Sequence, residues 1–169
     1  MVAVKHSLED QIILHESLKL HVYRCPAGFL TIGVGRNLEG KPLNKVEQEY
    51  LFGASGLNTQ EVIDLLYERG ITKDEAVWLL RQDINDAVKD LRMFAWFDRL
   101  DPVRRKVMID MRYNLGSTRF REFKRMLAAL DDSNFDKAAD EMVDSQWYKE
   151  VKTRGVRLAQ MMRTGKDYS

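Results

Sequence analysis

Behind Ser7 the apolar residues Leu8, Ile12 and Ile13 recur at helical spacing, with Asp10 placed as a weak capping box, and this predicts a first helix ending near Ser17. Leu8, Ile12 and Glu16 lie four apart, so the Glu16 carboxylate continues the apolar stripe. Two short β-prone runs follow, LKLHVYR and FLTIGVG. Between them CPAG has Pro26 at the second turn position and Gly28 at the fourth. The pattern predicts a β-hairpin with Cys25 at the first turn position. In the second run Leu30, Ile32 and Val34 alternate with Thr31, Gly33 and Gly35, which predicts one packed face and one stripped of side chains. Glycine within a strand marks a bulge or a close approach of backbone or ligand, and a ligand cleft is the favoured reading.

From Asn37 to Gly70 the chain reads as loops with one or two short helices. Thr72 and Glu75 then form a capping box ahead of a broad apolar face made by Ala76, Leu79, Leu80, Ile84, Ala87, Val88 and Leu91. Asp101 and Pro102 open another helix that Gly116 closes. Further helices are predicted over Arg119 to Leu130, Asn134 to Gln146 and Tyr148 to Arg163. Trp78, Trp96 and Trp147 are assigned to the core. The chain thus reads as α+β, mostly α, in a single domain of 1–169. A small hairpin lobe with the first helix spans about 1–71, a long connecting helix about 72–92, and a larger helical lobe about 93–169.

A chain of 169 residues with 44% hydrophobic content can bury a proper core. Its single cysteine cannot close an intramolecular disulfide. Charges at Lys5, Glu9 and Asp10 break up the N-terminal run, so neither signal peptide nor membrane anchor is expected. A net charge of +1 argues against a dedicated nucleic-acid binder. From Lys149 onward, however, six Lys/Arg face only Glu150 and Asp167. Such a basic segment fits contact with an anionic wall or outer-membrane lipid, and equally a solvated helix face.

A glycine-faced cleft bordered by a carboxylate on an apolar stripe and by two further polar groups suits glycoside hydrolysis. That reaction needs an acid for the leaving oxygen and a second group to deliver water or attack the sugar. Glu16, Cys25 and Thr31 are the candidates. The bland alternatives are a structural ion pair for Glu16, a small buried hydrophobe for Cys25 and an ordinary strand threonine for Thr31.

The residues around them resemble the phage lysozyme family, the endolysins of tailed phages. The family's motif is a Glu, eight residues, an Asp or sometimes Cys, five residues, and a Thr, leading into TIGxG; here these are Glu16, Cys25 and Thr31 in TIGVG. GITKDEA (Gly70 to Ala76), LDPVRRKVMIDMRYNLG (Leu100 to Gly116), SQWYKEVKTRGVR (Ser145 to Arg157) and RTG (Arg163 to Gly165) extend the resemblance through the helical lobe. It implies a lysozyme-like two-lobed fold and a muramidase cutting the β-1,4 link after N-acetylmuramic acid in bacterial peptidoglycan. Glu16 would be the general acid, Cys25 the second catalytic group as base or nucleophile, and Thr31 the residue that orients the attacking water. Gly33, Gly35, Tyr113 and Asn114 would line the cleft, and Arg154 would pair with the catalytic Glu. Arg36 stands where the family commonly has His, paired with Asp83. No metal or cofactor is implied, and a monomer is expected. Such a protein would collect in the host cytoplasm and reach the wall through a holin pore. The rivals are a lytic transglycosylase on the same polymer and a non-catalytic wall- or membrane-binding module.

Overall fold

The computed structural model describes residues 4–169, so residues 1–3 of the N-terminal run lie outside it. The chain is α+β and mostly helical. Two compact units divide it, one comprising residues up to Gln11 with Ile84–Ser169, the other Ile12–Asp83. The first helix, α1 (Leu8–Glu16), is therefore shared between units, as is the long helix α4 (Lys73–Leu91). Leu8–Gln11 of α1 fall in the first of these units and Ile12–Glu16 in the second.

The smaller unit holds β1 (Lys19–Arg24), β2 (Leu30–Gly33) and β3 (Arg36–Asn37) in an antiparallel sheet of order β1-β2-β3. The predicted hairpin is present, closed by Gly28 N–H donating to Cys25 O at 2.8 Å and Cys25 N–H to Phe29 O at 2.9 Å. The second strand does not run on to Gly35. Gly33 and Gly35 adopt φ of +67° and +71°, a left-handed backbone that ends the pleat and turns the chain into β3. Thr31, Ile32, Gly33 and Val34 are all buried, so the expected bare glycine face is absent. A side chain at Gly33 would meet Ile71 and Ala76 of the unit's core, not an open cleft.

Two helices follow, α2 (Lys45–Phe52) and α3 (Thr59–Arg69), each opened by a full capping box, Asn44 with Glu47 and Asn58 with Glu61. Gly70 is held close under β1, where an added Cβ would stand 2.7 Å from Leu20 O. Ile32, Leu38, Leu51, Val62, Leu66 and Leu79 form the centre of this unit's core. Trp78, expected in the core, is only partly buried there and stacks on Tyr50 with ring centroids 4.0 Å apart.

The larger unit continues from α4 through α5 (Pro102–Arg121), α6 (Lys124–Asp131), α7 (Phe135–Val143), α8 (Gln146–Val151) and α9 (Thr153–Thr164). Asp101 caps α5 by accepting from Arg104 N–H at 2.9 Å. Gly116 interrupts α5 with φ +78° and ψ 169°, after which the chain is helical again to Arg121. The helix expected over Arg119 to Leu130 is thus split, the second part being α6. The single helix expected from Tyr148 to Arg163 is also split, because Lys152 sits at φ +53° between α8 and α9. Trp96 and Trp147 are buried as expected.

Within this unit Asp167 clasps the two chain ends. It accepts from Lys5 N–H and His6 N–H at 2.7 and 3.0 Å and from Lys106 Nζ at 2.9 Å. Its carboxylate is fully buried.

Candidate active site

Glu16 is the last residue of α1, half-buried. The helix stops there because Ser17 turns left-handed, φ +69°, while its N–H still bonds Ile13 O at 2.8 Å. The carboxylate lies against Gly35: an ideal Cβ at that position would be 2.6 Å from Glu16 Oε2. Gly35 is therefore required twice, by its backbone conformation and by the side chain it admits.

Cys25 sits at the tip of the hairpin, half-buried. Burial pushes its thiol up, but hydrogen bonds from the Phe29 backbone, the Thr31 side chain and the Ala27 and Gly28 backbone outweigh that and hold it below the ordinary thiol value. The polar groups of the turn thus favour the sulfur as an anion. Arg24 has another task, donating to Gly28 O at 2.8 Å and bracing the turn.

Thr31 is 2% exposed, and its hydroxyl donates to Phe29 O at 2.8 Å. The same proton serves the Cys25 thiolate, and a hydroxyl has only one to give. Its lone pairs stay free in either case to accept from a water.

Behind this edge Arg36 binds Glu47 fork to fork, at 2.9 and 2.7 Å, and reaches Asp83 Oδ1 at 3.1 Å. Its Nε donates to Lys41 O at 2.9 Å, and Lys41 Nζ also contacts Asp83. The Arg36–Asp83 pair is present, but Glu47 is the better-matched partner. Burial raises Glu47, yet the Arg36 guanidinium, the Asn44 N–H and the Arg36 and Lys41 charges together hold it below the usual carboxylate range. Nothing in the charge pattern singled out Glu47; the signal was the N-x-x-E capping spacing after Asn44.

Tyr113, Asn114 and Arg154 belong to the helical unit. Asn114 accepts a hydrogen bond from Trp147 Nε1 at 2.7 Å, so this tryptophan is tied to a polar partner as well as packed. Arg154 donates to Asp110 Oδ1 from Nε and Nη2, at 2.9 and 2.7 Å. Asp110 has no exposed surface and takes a third bond from Gln11 Nε2 at 2.8 Å. Of the basic terminal segment, Arg154 is spent on Asp110 and Arg163 on Asp136 and Asp140. Lys149, Lys152 and Lys166 are exposed.

A carboxyl at a helix end, a thiol on a turn and a hydroxyl beside it are the kinds of group that the acid and base functions of a glycoside hydrolase require. The phage lysozyme family profile matches residues 14–164. The chain belongs to this family, and is a glycoside hydrolase of the lysozyme type, an N-acetylmuramidase. It is 25% identical to a probable T4-type lysozyme 1 of Dictyostelium discoideum, over 94% of this chain and 95% of that one. A second such protein of that organism, probable T4-type lysozyme 2, is 24% identical over 94% and 95%. The pre-baseplate central spike protein Gp5 of Enterobacteria phage T4 is 26% identical over 94% of this chain, a stretch that makes up 28% of Gp5.

Proposed function

We propose that the protein hydrolyses the β-1,4 bond between N-acetylmuramic acid and N-acetylglucosamine in peptidoglycan, with Glu16 as general acid and Cys25 as general base. The observation that carries this reading is the Glu16 carboxylate at the end of α1 lying against Gly35, in the same unit as the hairpin that bears Cys25 and Thr31. A base must hold negative charge at working pH, and a turn that lowers the thiol supports that role for a residue otherwise only a few per cent thiolate near pH 7. Glu16 gives its proton to the leaving oxygen while a water, oriented by the Thr31 lone pairs, attacks the anomeric carbon and loses a proton to Cys25. The product is inverted. Direct sulfur attack with retention is the alternative assignment of Cys25.

Gly35, Tyr113 and Asn114 as substrate contacts, and Arg154 as partner of Glu16, complete the reading, from which Gly33 drops out because it faces the core. They rest on their match to the family's positions. The biological role we infer is that of an endolysin, held in the host cytoplasm and freed through a holin pore for lysis. The family match supports it, and lysis of producing cells only on co-expression of a holin tests it.

Digestion of purified peptidoglycan with mass analysis of the products tests the chemistry. Free reducing ends are expected. Anhydromuramyl ends would make the enzyme a lytic transglycosylase, and an undigested wall would leave a binding module.

A further inference from the structure

Tyr23 has no part in the reading above, yet its position places it in the same site. In β1 it stands two residues before Cys25, and it is the direct cross-strand partner of Thr31. Directly opposed residues in an antiparallel pair have their Cβ atoms about 4.5–5.5 Å apart. The ring is half-buried, and among the described residues its hydroxyl has no hydrogen-bond partner. The hydroxyl is thus available to solvent or to a bound ligand.

Three influences raise the phenol's titration: burial first, then the charges of Glu16 and of Cys25. A group that feels both the acid and the base lies beside the space in which the reacting sugar must sit, because the two functions flank the scissile bond. Tyr23 stays neutral across the working range, so its O–H remains a donor and cannot compete with Cys25 for the proton of the attacking water.

Building on the hydrolase reading, we infer that Tyr23 is a substrate-orienting residue whose hydroxyl donates to an oxygen of the sugar bearing the reacting anomeric carbon. A ring hydroxyl or the acetamido carbonyl offers the required acceptor. A bond that holds the sugar in its distorted half-chair or boat form counts for more in the transition state than in the bound substrate.

The test compares wild type, Tyr23→Phe and Glu16→Gln on soluble, uncrosslinked glycan chains from peptidoglycan, at a temperature where circular dichroism shows each variant folded. Tyr23→Phe removes only the hydroxyl. It is expected to lower kcat roughly two- to tenfold, the span of one neutral hydrogen bond, with KM within about twofold. A wild-type kcat in Tyr23→Phe overturns the inference, as does a loss confined to KM. Failure of the underlying reading looks different: Glu16→Gln would then stay active, whatever Tyr23→Phe does.

Discussion

Arg36 and Glu47 meet through two parallel hydrogen bonds of 2.9 and 2.7 Å, with their side chains 3% and 2% exposed. Asp83 adds a third contact on the same guanidinium. Removing the cation leaves two carboxylates close together in a buried place, with Lys41 on Asp83. Arg36→Ala should therefore destabilise the fold by about 3–5 kcal/mol, which for a chain of this size lowers Tm by roughly 10 °C or more. Arg36→Lys should recover little, since an ammonium cannot make the fork. A thermal melt decides, and an unchanged Tm would show that the cluster contributes nothing net.

Glu16→Gln keeps shape and removes the transferable proton. The loss expected is about 10² to 10⁴ in rate, with an unaltered circular dichroism spectrum and melt. Turbidity loss of exposed walls near the wild-type rate would remove Glu16 from the role of acid.

Because the Cys25 thiol is held low, the thiolate, which is the active base, should form below the ordinary thiol pKa of about 8.5. Activity should rise with pH along that titration, with its midpoint below that of an unperturbed cysteine, and the rate of alkylation by iodoacetamide should follow the same curve. Cys25→Asp should remain active, lack this rise and resist alkylation, whereas Cys25→Ala should lose most activity. Alkylation with a midpoint at or above the ordinary value would mean that the turn donors do not reach the sulfur.

Gly35→Ala separates activity from stability. The new methyl would stand 2.6 Å from Glu16 Oε2, the mobile end of a side chain that can move aside. The backbone at φ +71° adds strain of about 1–2 kcal/mol. Activity should fall at least tenfold, a loss on the order of 1.4 kcal/mol in the barrier, from displacement of the acid, with only a modest drop in Tm. A Gly35→Ala enzyme of wild-type activity would show that the Glu16 carboxylate works from another rotamer.

Acid should weaken the helical unit through Asp167 and Asp90. Burial raises Asp167, but Lys106 and the N–H groups of His6 and Lys5 outweigh it and hold it low. For Asp90, hydrogen bonds from Arg121 come first, burial opposes them, and Arg112 adds to the lowering. A carboxyl lower in the folded than in the unfolded chain contributes stability above its unfolded pKa of about 3.9 and loses it as pH falls toward the folded value. Tm should therefore drop as pH is taken from about 5 to 3. Asp167→Asn should start from a lower Tm at neutral pH and fall less steeply, and a parallel fall would dismiss the clasp as the acid-sensitive element.

Helix and turn signals that act within a few residues were legible in the chain. Ser7, Thr72 and Asp101 opened their helices as read, since a cap satisfies N–H groups three residues on. CPAG closed its turn because proline and glycine supply the backbone angles that a turn of this kind needs. The motif Glu16, Cys25 and Thr31 was likewise readable as a set of residue types at fixed spacing. What the tertiary structure decided was where those residues point and what they meet. Alternation in TIGVG suggested a strand with a bare face, but periodicity does not report φ, and two left-handed glycines turned the chain instead. Lys152 split a helix whose apolar pattern was continuous, by a backbone angle that no pattern of side chains records. Glu47 joined Arg36, and Tyr23 joined Thr31, through pairings between segments. Such contacts depend on how the backbone returns upon itself, and local sequence carries no term for that.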